Sequence, residues 1–455
     1  MKSKVLILFI LIPCAARTSC LGQVCLTSSL HTLVCQLPST VTALENLSPT
    51  ASRYFTQDIL SSTLPIDSAV ATQLTQLPIP SAAVGAGSTP EGAFGNLGPI
   101  LADRPDTIRQ RQLFVGFSFQ HFSFNSIDGV GMGSLPLGFT FRQPGPLTPG
   151  DTQIFFAREM NNVGFQLDQF VGVATYGATP KTDVLLAVPF DEVSTAVRSS
   201  GLKLYVYDSV QKTYLDLSLP SQASIATTGS ALGFGDVIST VKHQFFSVDN
   251  SYSAAIKASL RFPSGDALNY LGTGSWGGNI NGLLEYKAQK APAPHVALGY
   301  QWNGASQLVN LVSGSNRRLP GGLQYDVGVD EFRTIRNSRL SLTLDLLGSQ
   351  YRNAQSFDLS PVTLNPSPAS IKEPEFPATL EAAVQTGSLY PNTYTTANLS
   401  AGLKWQPPKK ELFQSLVFYA NVLAQLNNVG LRSDLVPLIG VAYTRSLKPK
   451  HSSSQ

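Results

Sequence analysis

The chain has 455 residues, with 32 basic and 29 acidic side chains and a formal net charge of +3, a balance that excludes a nucleic-acid surface or a strongly acidic partner. Charged residues are only 13%, about half the roughly 25% of an ordinary soluble domain, so part of the surface faces something other than water. No apolar run approaches the roughly 18 residues of a helical membrane span, and 24 Phe with 15 Tyr exclude a chain disordered throughout.

Lys2 and Lys4 precede an apolar run from Val5 to Ile12, followed by small residues at Cys14, Ala15, Ala16, Ser19, Cys20 and Gly22. This is the pattern of a cleaved secretory signal peptide over residues 1–22, with cleavage after Ala16 or after Gly22. A lipoprotein site at Cys20 would need an apolar residue at its start, and Arg17-Thr18-Ser19 has none. All four cysteines precede residue 36. In an exported segment Cys25 and Cys35 are expected to form a local disulfide. Adding His31 gives three zinc ligands without a fourth, so no metal is expected.

Residues 23–110 are punctuated by Pro38, Pro49, Pro65, Pro78, Pro80 and Pro90. One short helix is expected, capped by Asp67 or Ser68 and carrying Val70, Leu74 and Leu77 at helical spacing. Gly85 to Gly98 is a glycine-rich linker. The region reads as a periplasmic extension or plug, loosely structured on its own.

From Arg111 the hydrophobic period becomes two. Leu323, Tyr325, Val327 and Val329 alternate with Gln324, Asp326, Gly328 and Asp330, and Leu340, Leu342 and Leu344 alternate with Arg339, Ser341, Thr343 and Asp345. Strands are expected at 112–124, 156–176, 182–191, 233–246, 252–263, 278–288, 294–303, 321–332, 338–350, 396–406, 411–425 and 435–446. A soluble sandwich also alternates, but three features favour a membrane barrel. The strands are about ten residues long, as a tilted spanning strand requires. Tyr300, Trp302, Trp405 and Tyr443 lie near the ends of the apolar face, where an aromatic girdle belongs. Short connections, such as Gly177–Lys181 and Arg333–Asn337, alternate with long ones at 125–155, 192–232, 264–277, 304–320, 351–395 and 426–434. The last two-strand hint is a hairpin of Lys203–Tyr207 with Tyr214–Leu217 inside the 192–232 loop. The reading is therefore all-β: a single antiparallel up-and-down transmembrane β-barrel of about twelve strands over 111–447, with a polar tail at 448–455. Such a chain is expected in the bacterial outer membrane, among its lipids and delivered to the barrel-assembly machinery. Nucleic acid is not a partner.

The polar face of these strands carries ten charges: Lys242, Lys257, Arg261, Glu285, Lys287, Asp326, Asp330, Arg339, Asp345 and Lys404. They are candidate pore-lining residues. A solvated or mutually paired barrel interior explains them as well as a solute path does, and twelve strands leave only a narrow lumen. Long side chains or the N-terminal segment can close it.

Several stretches resemble the phenol-degradation meta-pathway outer-membrane family. They are Gly233-Phe-Gly-Asp-Val-Ile-Ser-Thr-Val-Lys242; Arg261-Phe-Pro-Ser-Gly-Asp266 with Leu271-Gly-Thr-Gly-Ser275; Tyr176-Gly-Ala-Thr-Pro-Lys-Thr-Asp-Val184 with Ala187-Val-Pro189; and Gly95–Arg104 with Phe124–Gly129. The resemblance implies a barrel with a role in the passage of small organic compounds. The chain departs from barrels that finish on an aromatic residue, running past Tyr443 to Gln455. Of the five histidines, His243 and His295 have no serine-hydrolase setting around them, and no phosphate loop, HExxH or paired CxxC is present. The expectation is a non-enzymatic channel or transporter-like barrel for small organic, hydrophobic or amphiphilic solutes, with no cofactor. The alternative is a non-transport barrel with a structural, adhesive or lipid-hydrolase role in its long extracellular loops.

Overall fold

The computed structural model describes residues 29–31, 66–81, 97–108, 110–144, 152–208, 213–217, 225–248, 252–286, 292–309, 318–335, 338–361, 385–408 and 416–447. Residues 1–22, Cys25, Cys35, Lys287 and the 448–455 tail lie outside them, and so do the signal-peptide and disulfide expectations.

Twelve strands build the wall: β1 (Gln112–Phe124), β2 (Thr152–Thr179), β3 (Thr182–Asp208), β4 (Ile225–Phe234, continuing as Ile238–Ser247), β5 (Tyr252–Arg261), β6 (Gly277–Tyr286), β7 (Ala293–Asn303), β8 (Gly321–Ile335), β9 (Ser338–Pro361), β10 (Gln385–Gln406), β11 (Leu416–Gln425) and β12 (Leu435–Ser446). Each pairs antiparallel with the next, and β12 returns to β1 in a register running from Gln112↔Ser446 to Gln120↔Leu438. The sheet is a closed twelve-stranded barrel, so it has no edge within the wall. No helix among the described residues is long and apolar enough to cross a membrane.

Alternation decides which side chains face out. Leu342, Leu344 and Leu346 are exposed while Ser341 and Asp345 are buried, and Val296, Leu298 and Trp302 are exposed while His295, Gln301 and Asn303 are buried. Exposed apolar side chains thus form an outer belt, the surface that faces lipid in a spanning barrel. Aromatic cross-strand pairs frame it. Tyr252 and Tyr286 (ring centroids 5.1 Å apart) and Trp405 and Phe418 (5.7 Å) lie at the short-turn end. Phe262 and Trp276 (5.2 Å) and Phe190 and Phe234 (5.4 Å) lie at the long-loop end.

Several strands outrun their expected ends on the long-loop side. β2, β3, β9 and β10 begin or end beyond the residues where apolar alternation stops, and β3 forms the expected hairpin, Leu204 pairing with Leu217. A further strand, Leu135–Pro144, pairs along β2. The physical reason is an inversion of polarity. Low on β3 the outward side chains are Val184 and Leu186 and the inward ones include Asp183 and Asp191. Higher up, Glu192 and Arg198 point outward and Val193 and Val197 inward. β1 behaves alike, with Phe117 outward and Gln120 inward, then Ser123 outward and Phe122 and Phe124 inward. Above the belt water lies outside, and an apolar filling lies within.

That filling is the N-terminal region. A helix at 66–74 places Ile66, Val70, Ala71 and Leu74 among Phe122, Phe124, Phe165, Val193, Tyr270 and Leu431. Leu77 lies beyond its end. Asp67 makes no cap here; its carboxylate accepts from the Tyr270 hydroxyl at 2.5 Å and meets His31 Nδ1 at 3.0 Å. Residues 97–108 occupy the short-turn half of the lumen, with Ile100 and Ile108 packed on Phe114, Val171, Val173 and Leu438.

Candidate functional site

On the opposite wall from that apolar contact, segment 97–106 meets charge. Lys404 Nζ donates to the carbonyls of Leu97 (3.1 Å) and Pro99 (2.6 Å), and Ser341 Oγ accepts from Leu97 N (3.0 Å). Lys257 Nζ donates to Asp103 Oδ2 at 2.8 Å, and Lys242 Nζ lies 3.7 Å from Asp103 Oδ1 while donating to the Arg104 carbonyl at 3.1 Å. The Arg104 guanidinium pairs with Glu285 and lies 3.5 Å from Asp330 and 3.6 Å from Asp106. Burial works against the Asp103 carboxylate, but the Lys257 and Lys242 ammoniums outweigh it and hold its pKa below the ordinary range. Burial likewise opposes the Arg104 charge, and the surrounding carboxylates outweigh it in turn.

Behind Arg104 the wall is cross-braced. His295 Nδ1 faces Asp330 Oδ1 at 3.3 Å and Nε2 faces Asp345 Oδ1 at 3.0 Å. His295, Gly328 and Asp345 stand in one row across β7, β8 and β9. The contact exists because position 328 has no side chain: a Cβ there would lie 2.1 Å from Asp345 Oδ1. His295 is thus hydrogen-bonded to Asp345 through Nε2 and within ion-pair distance of Asp330 through Nδ1.

Of the ten charges singled out from sequence, Lys242, Lys257, Glu285, Asp330 and Lys404 touch segment 97–106 directly. Asp345 connects to it through His295 and then Asp330. Arg261 is held by Asn303 Oδ1 (2.7 Å) and lies 3.7 Å from Asp236. Asp326 faces a chamber described below. Arg339 is half-buried at the start of β9. Sequence reading missed Asp103 and Arg104, the groups on which the wall converges. Their only signal is an oppositely charged doublet inside an otherwise apolar, proline-flanked stretch.

The motif residues of β4 and the loop after β5 have a local task. Asp236, at the break in β4, accepts from Gly265 N (3.1 Å), Thr273 N (2.8 Å) and Thr273 Oγ1 (2.6 Å). A Cβ at Gly272 would sit 2.4 Å from Asp236 Oδ1, so the loop closes on the strand only with glycine there. This carries Tyr270 over the helix at 66–74. Between that helix and segment 97–106 lies a chamber of about 280 Å³, with Thr75–Ser81 above and Leu101 and Asp103 below.

No protein-family model matches the sequence, and no curated protein does. Among solved structures the chain is similar to the COG4313 outer membrane channel from Pseudomonas putida F1, at 11% identity and a TM-score of 0.40 over 75% of this chain and 98% of that one. It is similar to a Pseudomonas aeruginosa FadL homologue at 9% identity and a TM-score of 0.29, over 74% and 90%. With Acinetobacter baumannii OccAB3 the values are 10%, 0.25, 73% and 98%. These are likenesses of barrel architecture.

Proposed function

We propose that this chain is an outer-membrane channel for small organic solutes of polar or amphiphilic character, held shut at rest by its own N-terminal segment. The observation that carries the reading is the destination of the inward charges. Five of them bind segment 97–106 through Asp103, Arg104 and backbone carbonyls, and do not simply neutralise one another across the lumen. Much of the attraction within a buried ion pair is offset by the desolvation of its charges, so water or a passing solute that rehydrates both partners can replace them without unfolding the wall. The apolar outer belt and aromatic girdles suit a lipid bilayer, and with the leader expected from the sequence they support the outer membrane as location. Both charge signs on the wall favour polar, zwitterionic or single-ended amphiphilic solutes over simple selection of anions or cations.

Planar-bilayer recording of the pure protein tests this. The wild type should conduct rarely and briefly, and Asp103→Ala with Arg104→Ala should raise time-averaged conductance at least several-fold. A wild type that conducts steadily, with no change in the double variant, refutes gating by this segment. No conductance in either refutes the channel.

A further inference from the structure

We infer that the outer wall carries a binding site for one anionic phospholipid, its phosphate head on Arg111, Lys181 and Arg445 and an acyl chain in a groove that ends at Gly172. The inference goes beyond the channel reading, since it needs a barrel that spans a bilayer and not the passage of a solute. The groove has a volume of about 720 Å³, crosses β11, β12, β1, β2 and β3, and is lined by Phe117, Phe170, Val188, Phe418 and Ile439. Phe117, Phe170, Phe418 and Ile439 are exposed on the outer face. One register row explains the hollow. Val441, Phe117, Gly172 and Val188 stand side by side, and only position 172 has no side chain. A Cβ there would meet the Phe117 ring at 3.6 Å, an ordinary contact, so the backbone does not demand glycine and its effect is the notch.

The head group follows from the polar end of the same strands. Arg445 on β12 shares a row with Leu113 and Tyr176, four residues nearer the short turns than the notch. Arg111 N donates to the Gly177 carbonyl, Leu447 N to that of Arg111 and Gln244 N to that of Lys181, each at 2.8 Å. These bonds bring the three bases to the short-turn end of one sector of the wall. All three are exposed, and none has an ion-pair partner among the described residues. Arg333, at the β8–β9 turn, is by contrast paired with Glu331. Arg111 also holds φ at 61°, where glycine or asparagine is the usual residue, so a base stands there at a conformational cost. Tyr176 and Tyr443 are exposed beside these bases, as at a membrane interface. Four residues of strand cover about 13 Å, within half of a hydrocarbon core of roughly 30 Å, so a chain anchored at the bases reaches the notch. Bases alone would suit any acidic partner. An apolar groove continuing up the same strands selects a ligand with an anionic head and a hydrocarbon chain.

Retention of radiolabelled dipalmitoylphosphatidylglycerol and dipalmitoylphosphatidylcholine by the immobilised full chain in non-ionic detergent tests the site. The anionic lipid should be retained at least fivefold more than the zwitterionic one, and about 0.5 M salt should lower that retention at least threefold by screening. Arg111→Gln with Lys181→Gln and Arg445→Gln should bring phosphatidylglycerol down to the phosphatidylcholine value. Gly172→Leu, which fills the notch and leaves the bases alone, should lower phosphatidylglycerol retention at least threefold. Equal retention of the two lipids, or phosphatidylglycerol retention unchanged in the triple variant or in Gly172→Leu, would overturn the inference. Soluble polyglutamate binding the wild type and Gly172→Leu alike, with no lipid retained, would overturn it in favour of an acidic protein on the bases. A dimer in the same detergent that Gly172→Leu dissociates would give the groove to a second copy of the chain. If Gly172→Leu does not fold, the head-group comparison and the triple variant still decide.

Discussion

The two halves of the lumen hold the same N-terminal segment by different means. At the long-loop end the helix at 66–74 sits in an apolar cup of Phe, Leu and Val side chains, with one polar knot at His31, Asp67 and Tyr270. At the short-turn end segment 97–106 rests on apolar residues along one wall only and is gripped by ion pairs along the other. Apolar burial is non-directional and grows with area, so the upper half resembles a domain core. Ion pairs depend on geometry and on both partners being present, so the lower half is the one more sensitive to a change of charge. The wall itself records the difference, through the inversion of inward and outward polarity along β1 and β3.

The largest effect should come from Arg104→Ala. It leaves Glu285 and Asp330 buried without their guanidinium, a loss of about 3–5 kcal/mol when one partner of a buried pair is removed. Thermal melts should show it, and adding Glu285→Gln with Asp330→Asn should recover much of it. Failure of that recovery would mean that Arg104 acts through packing, and the electrostatic account of the lower half would fall. Ile66→Ala tests the upper half. Truncating a buried isoleucine costs about 2–4 kcal/mol through lost transfer energy and a cavity, and the loss should not depend on salt. The third test uses the outer surface of β3. Leu186→Arg places a charge in the apolar belt and should cost about 2–4 kcal/mol, less if nearer the interface. Glu192→Leu, six residues higher on the same face, should be near neutral, since water lies outside there. Equal costs would erase the boundary between the halves.

How far this was legible follows the same division. The wall is readable because its pattern is local: Leu342, Leu344 and Leu346 against Ser341, Thr343 and Asp345 need no knowledge of anything distant. Strand ends were misread where that pattern inverts, because a strand whose apolar face turns inward at Val193 and Val197 looks, to a reading based on a lipid-facing stripe, like the start of a loop. Ser341 was legible as inward but not as occupied, since Leu97 reaches it from 244 residues away. Asp103 and Arg104 lie in no periodic element, so nothing local marks them as the centre on which Lys257, Lys242, Glu285 and Asp330 converge. Lys404, Glu285 and Asp330 were correctly placed on the polar face, but the groups that face them could be found only in three dimensions.

The smallest expected effect is the most discriminating, because the two halves should respond to pH in opposite directions. Burial alone would lower the His31 pKa, but the hydrogen bond and charge of Asp67 prevail and raise it above the ordinary 6.5. A raised folded value means that the His31 contribution is complete below the unfolded value and lost as pH rises through the folded one. The upper knot therefore loosens on the alkaline side. Asp103 is the reverse case. Its pKa is held below the ordinary 3.8 by Lys257 and Lys242 against burial, so its contribution is complete above that value and lost as pH falls through the lower, folded one. The lower grip therefore loosens on the acid side. Hydrogen exchange of peptides covering 66–77 and 97–108, corrected for intrinsic exchange at each pH, should show the first losing protection in alkali and the second in acid. His31→Gln should flatten the alkaline limb alone, and Asp103→Asn the acid limb alone. Loss of protection in both peptides on the same side of neutrality would show that the segment moves as one body, and the division of the lumen into an apolar seat and an ionic grip would not hold.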